Sequence, residues 1–166
     1  MVPMHTLRHL FLSIWLLFIA AGITHAETGH KVGQTAPGFA LNSLAGDRVT
    51  LDSLTQQGHV LLVFWATECV YCYAHIEDFN ALHDQYHDKG LTVAAINIAG
   101  EYEQEVREYV TDNGLNYLVL ANRLDNLDVA EDYHVVGTPT LVLISPDNRV
   151  LFYGHNLPDI GKWLKE

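Results

Sequence analysis

Two periodicities alternate along the chain. From Val60 to Trp65 every position is apolar, and β-branched and aromatic residues are frequent, the pattern of a strand covered on both faces. Just beyond, Tyr73, Ile76, Phe79, Leu82 and Tyr86 recur every three or four residues, which predicts a helix with one apolar stripe. Lys89 and Gly90 mark its end. Leu91–Ile98 predicts a second buried strand. Glu101–Asn113 is acidic at its start and carries Val106, Tyr109 and Val110 at helical spacing before Gly114, so it reads as a further helix. Tyr117–Leu120 predicts a short strand and Leu127–Tyr133 another helix. Thr140–Ile144 and Val150–Tyr153 read as a hairpin across the turn Ser145-Pro146-Asp147-Asn148. Pro158–Leu164 predicts a closing helix with its proline in the first turn.

Ahead of the central strand the signals are weaker. Pro37 disfavours helix before it, so Ala36–Leu41 reads as extended. Leu44–Arg48 carries turn residues, Val49–Leu51 alternates like an edge strand, and Asp52–Leu54 suggests one helical turn. The polar, glycine-containing residues 27–34 predict a flexible lead-in to a domain spanning 35–166. Strands alternating with helices, then a hairpin, predict an α/β fold with a mixed central sheet flanked by helices.

The first 26 residues differ from the rest. Arg8 is followed by an apolar run from Leu10 to Ile23 and then Thr24-His25-Ala26, which reads as a secretory signal peptide cleaved after Ala26. The run is shorter than the ~20 residues of a membrane-spanning helix, although an N-terminal membrane anchor remains the alternative. Loss of Arg8 with that segment takes the formal charge from −11 to −12, since no acid lies in it. A surface this acidic argues against nucleic acid and anionic membrane as partners. Export, to a periplasmic or other extracytoplasmic space, supplies an oxidising setting.

The chain has only two cysteines, Cys69 and Cys72, placed where the central strand gives way to the helix. A C-x-x-C pair at that junction points to thiol–disulfide exchange. Only a thiolate attacks a disulfide, and the unpaired N–H groups of a helix start stabilise it. Cys69 is therefore expected to be the nucleophile and Cys72 the resolving partner, the redox-active disulfide being the only cofactor. A purely structural disulfide closing so short a loop gains little from chain entropy.

Ala36-Pro37-Gly38-Phe39-Ala40-Leu41 with Leu44-Ala45-Gly46, then Val49–Leu54, Val63-Phe64-Trp65-Ala66-Thr67 before Cys69, and Gly137-Thr138-Pro139-Thr140 are similar in order and spacing to the TlpA/ResA-like family. That family of thioredoxin-fold proteins includes the DsbE/CcmG proteins of cytochrome c maturation. The resemblance implies a thioredoxin fold with an extra N-terminal β-hairpin. It also implies a cis Thr138–Pro139 bond beside the cysteines, whose backbone pairs with an extended substrate strand. Trp65, Val70 and Tyr71 fall at positions that modulate the site, a membrane thiol donor would supply electrons, and a monomer is expected.

Several positions depart from the family. Glu68 stands where most relatives have tryptophan; it is either a solvated acid near a helix start or a charge that opposes thiolate formation at Cys69. The Val70-Tyr71 dipeptide lacks the usual proline before the second cysteine. His75 replaces a frequent glutamate, either to assist a thiolate or as a surface residue. Val63 stands where thioredoxin has a buried aspartate, which leaves water, His75 or Glu77 for proton transfer. His83 and His87 at i, i+4 match half of a metal site with no further ligand in view, so no metal is expected. An exported reductant is the favoured reading. The alternatives are a disulfide oxidase or isomerase, and a copper-binding module using Cys69, Cys72 and His75. The Thr-x-x-Cys of peroxiredoxins is absent, Thr67 lying one residue too close to Cys69.

Overall fold

The computed structural model describes residues 27–164, so the expected signal peptide or anchor at 1–26 lies outside them. Among the described residues no helix is long and apolar enough to cross a membrane. A two-stranded antiparallel hairpin comes first, β1 (Ala40–Asn42) and β2 (Arg48–Thr50). Helix α1 (Leu51–Thr55) follows without a linker because Thr50 caps it: its hydroxyl accepts from Ser53 N–H at 3.0 Å, and the Ser53 hydroxyl accepts from Thr50 N–H at 3.1 Å. This reciprocal pair satisfies two of the N–H groups that a helix start leaves open.

Strand β3 (His59–Trp65) is the axis of the molecule. The sheet order is β5-β4-β3-β6-β7, with β4 (Leu91–Asn97), β5 (Leu118–Leu120), β6 (Thr140–Ile144) and β7 (Val150–Gly154). β3 runs parallel to β4 and antiparallel to β6. Alternation along β3 divides its side chains between two cores. Val60, Leu62 and Phe64 pack with Leu41, Leu51, Leu54, Val129 and Tyr133; Leu61, Val63 and Trp65 pack with Cys72, Phe79, Val106 and Ile160. None of these six β3 residues exceeds 3% exposure, which explains the continuous apolar run. Helices α2 (Val70–Ala74), α3 (Ile76–Tyr86) and α4 (Glu103–Asp112) follow the cysteines and β4; α5 (Leu124–Asp132) precedes β6.

Four expectations need correction. The active-site helix is not continuous, because His75 (φ −105°, ψ 4°) breaks it into α2 and α3. Helix α5 starts at Leu124, three residues before the periodicity indicates. The closing helix is only a 3₁₀ turn, Ile160–Lys162. Finally, the lead-in is tied to the β7 edge: Gly33 N–H donates to Val150 C=O at 2.8 Å, Val150 N–H to Gln34 C=O at 3.0 Å, and Ala36 N–H to Asn148 C=O at 2.8 Å. Those unused edge groups of β7 are what the lead-in satisfies.

Candidate active site

Beyond Trp65 the chain turns through Ala66–Glu68, closed by Cys69 N–H donating to Ala66 C=O at 3.2 Å. Cys69 then takes the N-cap position of α2, where its Sγ accepts the Cys72 N–H at 3.1 Å. Serine or aspartate oxygen usually fills this role; here sulfur does, and its charge would be stabilised by the same N–H. Cys69 and Cys72 form a disulfide with Cα atoms 5.2 Å apart. Cys69 is half-buried and Cys72 is 4% exposed, so an incoming sulfur can reach only the first.

Behind Cys72 lies a small apolar recess walled by Val63, Trp65, Ile76, Phe79, Tyr109 and Tyr117. Val63 thus occupies the floor with a side chain that cannot take a proton. In front of Cys69 opens a shallow groove of about 260 Å³ lined by Thr67, Glu68, Val70, Tyr73, Tyr109 and Asn113. Val70 and Tyr71 are 76% and 74% exposed and project from the surface. Trp65 does not: at 3% exposure it forms the wall beneath, its ring 5.3 Å from that of Tyr109. The Trp65 Nε1 and Tyr109 Oη atoms are buried without a hydrogen-bond partner among the described residues. Burial first, then the neighbouring Tyr73 and Glu101, push the Tyr109 hydroxyl above its ordinary pKa.

The sequence reading missed Glu101. Its carboxylate accepts Thr67 N–H at 3.2 Å, the Thr67 hydroxyl and the Asn97 side-chain amide. Asn97 is held in turn by Asn126, which is fully buried and donates its amide to Asn97 C=O at 2.7 Å and Leu120 C=O at 2.9 Å. The turn before Cys69 is therefore anchored to the ends of β4 and β5. Glu101 follows a strand and lies 34 residues from Thr67, so no local motif marks the pairing; an acid directly after the Ala99-Gly100 turn is the only signal.

The other predicted residues fall as follows. The Thr138–Pro139 peptide is cis. Since Phe64 pairs with Thr140, these residues lie alongside the end of β3 from which the Cys69 turn departs. Thr138 is half-buried and Pro139 buried. Glu68 is exposed beside Cys69 in the groove. The His75 imidazole turns to its own helix and pairs with Asp78 at 2.8 Å; Glu77 is exposed in an adjoining hollow with Tyr73 and Asp112. The rings of His83 and His87 lie 4.8 Å apart. Among the described residues no group of three or more His, Cys, Asp or Glu side chains is arranged to hold a metal.

This sheet order, with a dithiol leading from the central strand into a helix, defines the thioredoxin-fold oxidoreductases. Comparison with known proteins narrows the class. The AhpC/TSA family profile matches residues 32–152. The chain is 33% identical over 120 residues to the thioredoxin-like protein YneN of Bacillus subtilis, covering 71% of this chain and 68% of that one. It is 32% identical over 132 residues to the thiol-disulfide oxidoreductase ResA of Geobacillus thermodenitrificans, covering 80% and 74%. In structure it resembles the thioredoxin domain of a thiol-disulfide oxidoreductase from Bacteroides vulgatus, with a TM-score of 0.74, 21% identity and coverage of 81% and 99%; at that identity the likeness concerns the fold. The chain belongs to the AhpC/TSA family, among its TlpA/ResA-like thiol–disulfide oxidoreductases.

Proposed function

We propose that this protein is an exported reductant of protein disulfides. The observation that carries the reading is the inequality of the two sulfurs, Cys69 half-exposed at a helix N-cap and Cys72 buried behind it. In the reduced protein the Cys69 thiolate attacks one sulfur of a substrate disulfide; that bond breaks and one substrate thiolate leaves. The Cys72 thiolate then attacks Cys69 Sγ, releases the second substrate thiolate and closes the Cys69–Cys72 disulfide, so that two electrons pass to the substrate. The backbone of Thr138 receives the substrate as a short added strand. A membrane thiol donor regenerates the dithiol in a periplasmic or equivalent space. Cysteine-bearing exported proteins, apocytochrome c among them, are the substrate class.

The test is the reduction potential of the Cys69–Cys72 couple, set by equilibration with dithiothreitol buffers, together with turnover of a peptide disulfide. The reading expects a potential near or below the roughly −270 mV of thioredoxin, and turnover lost in Cys69→Ser. A potential near about −120 mV, as in DsbA, would identify an oxidant and overturn it.

A further inference from the structure

Along β6 the backbone groups of successive residues point alternately to its two neighbours. Thr140 is in register with Phe64 of β3, and Leu141 with Val63 of β3 on one side and Gly154 of β7 on the other. Pro139 lies just ahead of β6, beside the end of β7. β7 ends at Gly154, and among the described residues no backbone N–H reaches the Pro139 carbonyl. The side chain of His155 does so instead, its Nδ1–H donating to Pro139 C=O at 2.8 Å. An imidazole continues the ladder one step past the end of the strand.

Two further side chains hold the same loop. The Tyr153 hydroxyl donates to His134 C=O at 3.0 Å, and the Thr140 hydroxyl to Gly137 C=O at 2.6 Å. Two of the three end on the residues that flank Thr138: the Thr140 bond, from within the loop itself, on Gly137, and the His155 bond, from beyond β7, on Pro139. Thr138 itself has neither its N–H nor its C=O paired among the described residues.

We infer that His155 is a positioning residue for substrate capture: by holding the Pro139 carbonyl it sets the Thr138 backbone at the angle an incoming strand needs. This rests on the reading of Thr138 as the substrate-pairing edge. Both the neutral Nδ1–H tautomer and the imidazolium can donate this bond. A small disulfide that does not pair along the backbone should be indifferent to it, whereas an extended peptide should not.

The experiment compares reduction of two disulfides by the reduced protein: an extended peptide containing one disulfide, and the small aromatic disulfide 5,5′-dithiobis(2-nitrobenzoate). In His155→Leu and His155→Ala, kcat/KM for the peptide should fall roughly fivefold, mainly through KM, the size expected of one lost hydrogen bond. The rate with the small disulfide should be unchanged. His155→Asn, which keeps an N–H at the δ position, should recover most of the peptide rate. Equal losses on both disulfides, or His155→Asn no better than His155→Leu, would show a merely structural role and overturn the inference. An unimpaired His155→Ala would overturn it alone. A wild-type protein that reduced neither disulfide would overturn the proposed function with it.

Discussion

Glu101 offers the sharpest test of how the reactive turn is held. One carboxylate oxygen accepts both the N–H and the hydroxyl of Thr67; the other accepts the side-chain amide of Asn97. Glutamine in its place keeps one acceptor and gains an NH₂. If its oxygen stays with Thr67, its NH₂ meets the Asn97 amide donor to donor. Asn97 is 1% exposed, so water cannot take over, and a buried donor left unpaired costs about 1–3 kcal/mol. Loss of charge on the two Thr67 bonds adds about 1 kcal/mol more. The sum for Glu101→Gln is a destabilisation of roughly 2–4 kcal/mol, and for a domain of this size a fall in Tm of about 6–15 °C. Urea unfolding of the oxidised protein gives the free energy directly, with m unchanged if the folded state is intact. A Thr67→Val, Glu101→Gln double-mutant cycle should return coupling above about 0.5 kcal/mol. If Glu101→Gln unfolds within about 0.5 kcal/mol of wild type, the anchor argued from these bonds does not exist.

Other perturbations test the scaffold. Gly58 (φ +147°) sits where a Cβ would lie 2.1 Å from the Gly90 carbonyl oxygen; Gly58→Ala should cost at least about 2 kcal/mol in denaturant unfolding, and an unchanged midpoint would refute that contact. Asn126→Leu, similar in size, strands the Asn97 and Leu120 carbonyls and should cost roughly 2–4 kcal/mol by the same assay. Burial pushes the hydroxyls of Tyr109, Tyr117, Tyr133 and Tyr153 above the ordinary tyrosine value. Above pH of about 10 the unfolded chain then releases protons that the folded one keeps, so stability should decline as pH rises; a flat stability from pH 9 to 11 would contradict it. His75→Ala, which removes only an exposed pair with Asp78, should shift stability by less than about 0.5 kcal/mol in the same unfolding assay.

What the sequence disclosed and what it hid divide along a physical line. The β3 run, the strand-to-helix cysteines and the Pro139 strand are written in contiguous residues whose periodicity is local. The break at His75 is not, because the apolar stripe continues through it: Ile76 and Phe79 line the same apolar recess as Cys72 although the backbone breaks between them. The lead-in looked unstructured from its polar composition, yet its stability comes from backbone bonds to β7, which composition does not register. Trp65 stood among the residues that modulate the site by its place in the motif, and strand alternation makes it the wall of the recess behind Cys72. Glu101 and His155 escaped notice for one reason: each acts on a loop far off in sequence, Thr67 at 34 residues and Pro139 at 16.

The lead-in also fixes where the chain enters the domain. It joins beside Val150, the residue of β7 that pairs with Ile144, and Ile144 pairs with Val60 at the opening of β3. The dithiol lies past the other end of that strand, seven residues on, or about 20 Å at the usual strand rise. Any leash fastened ahead of residue 27, natural or engineered, therefore pulls on the pole of the molecule opposite the reactive sulfurs. Immobilised by that end on a sensor chip or a vesicle, the protein would present its dithiol outward, free to meet partners arriving from solution.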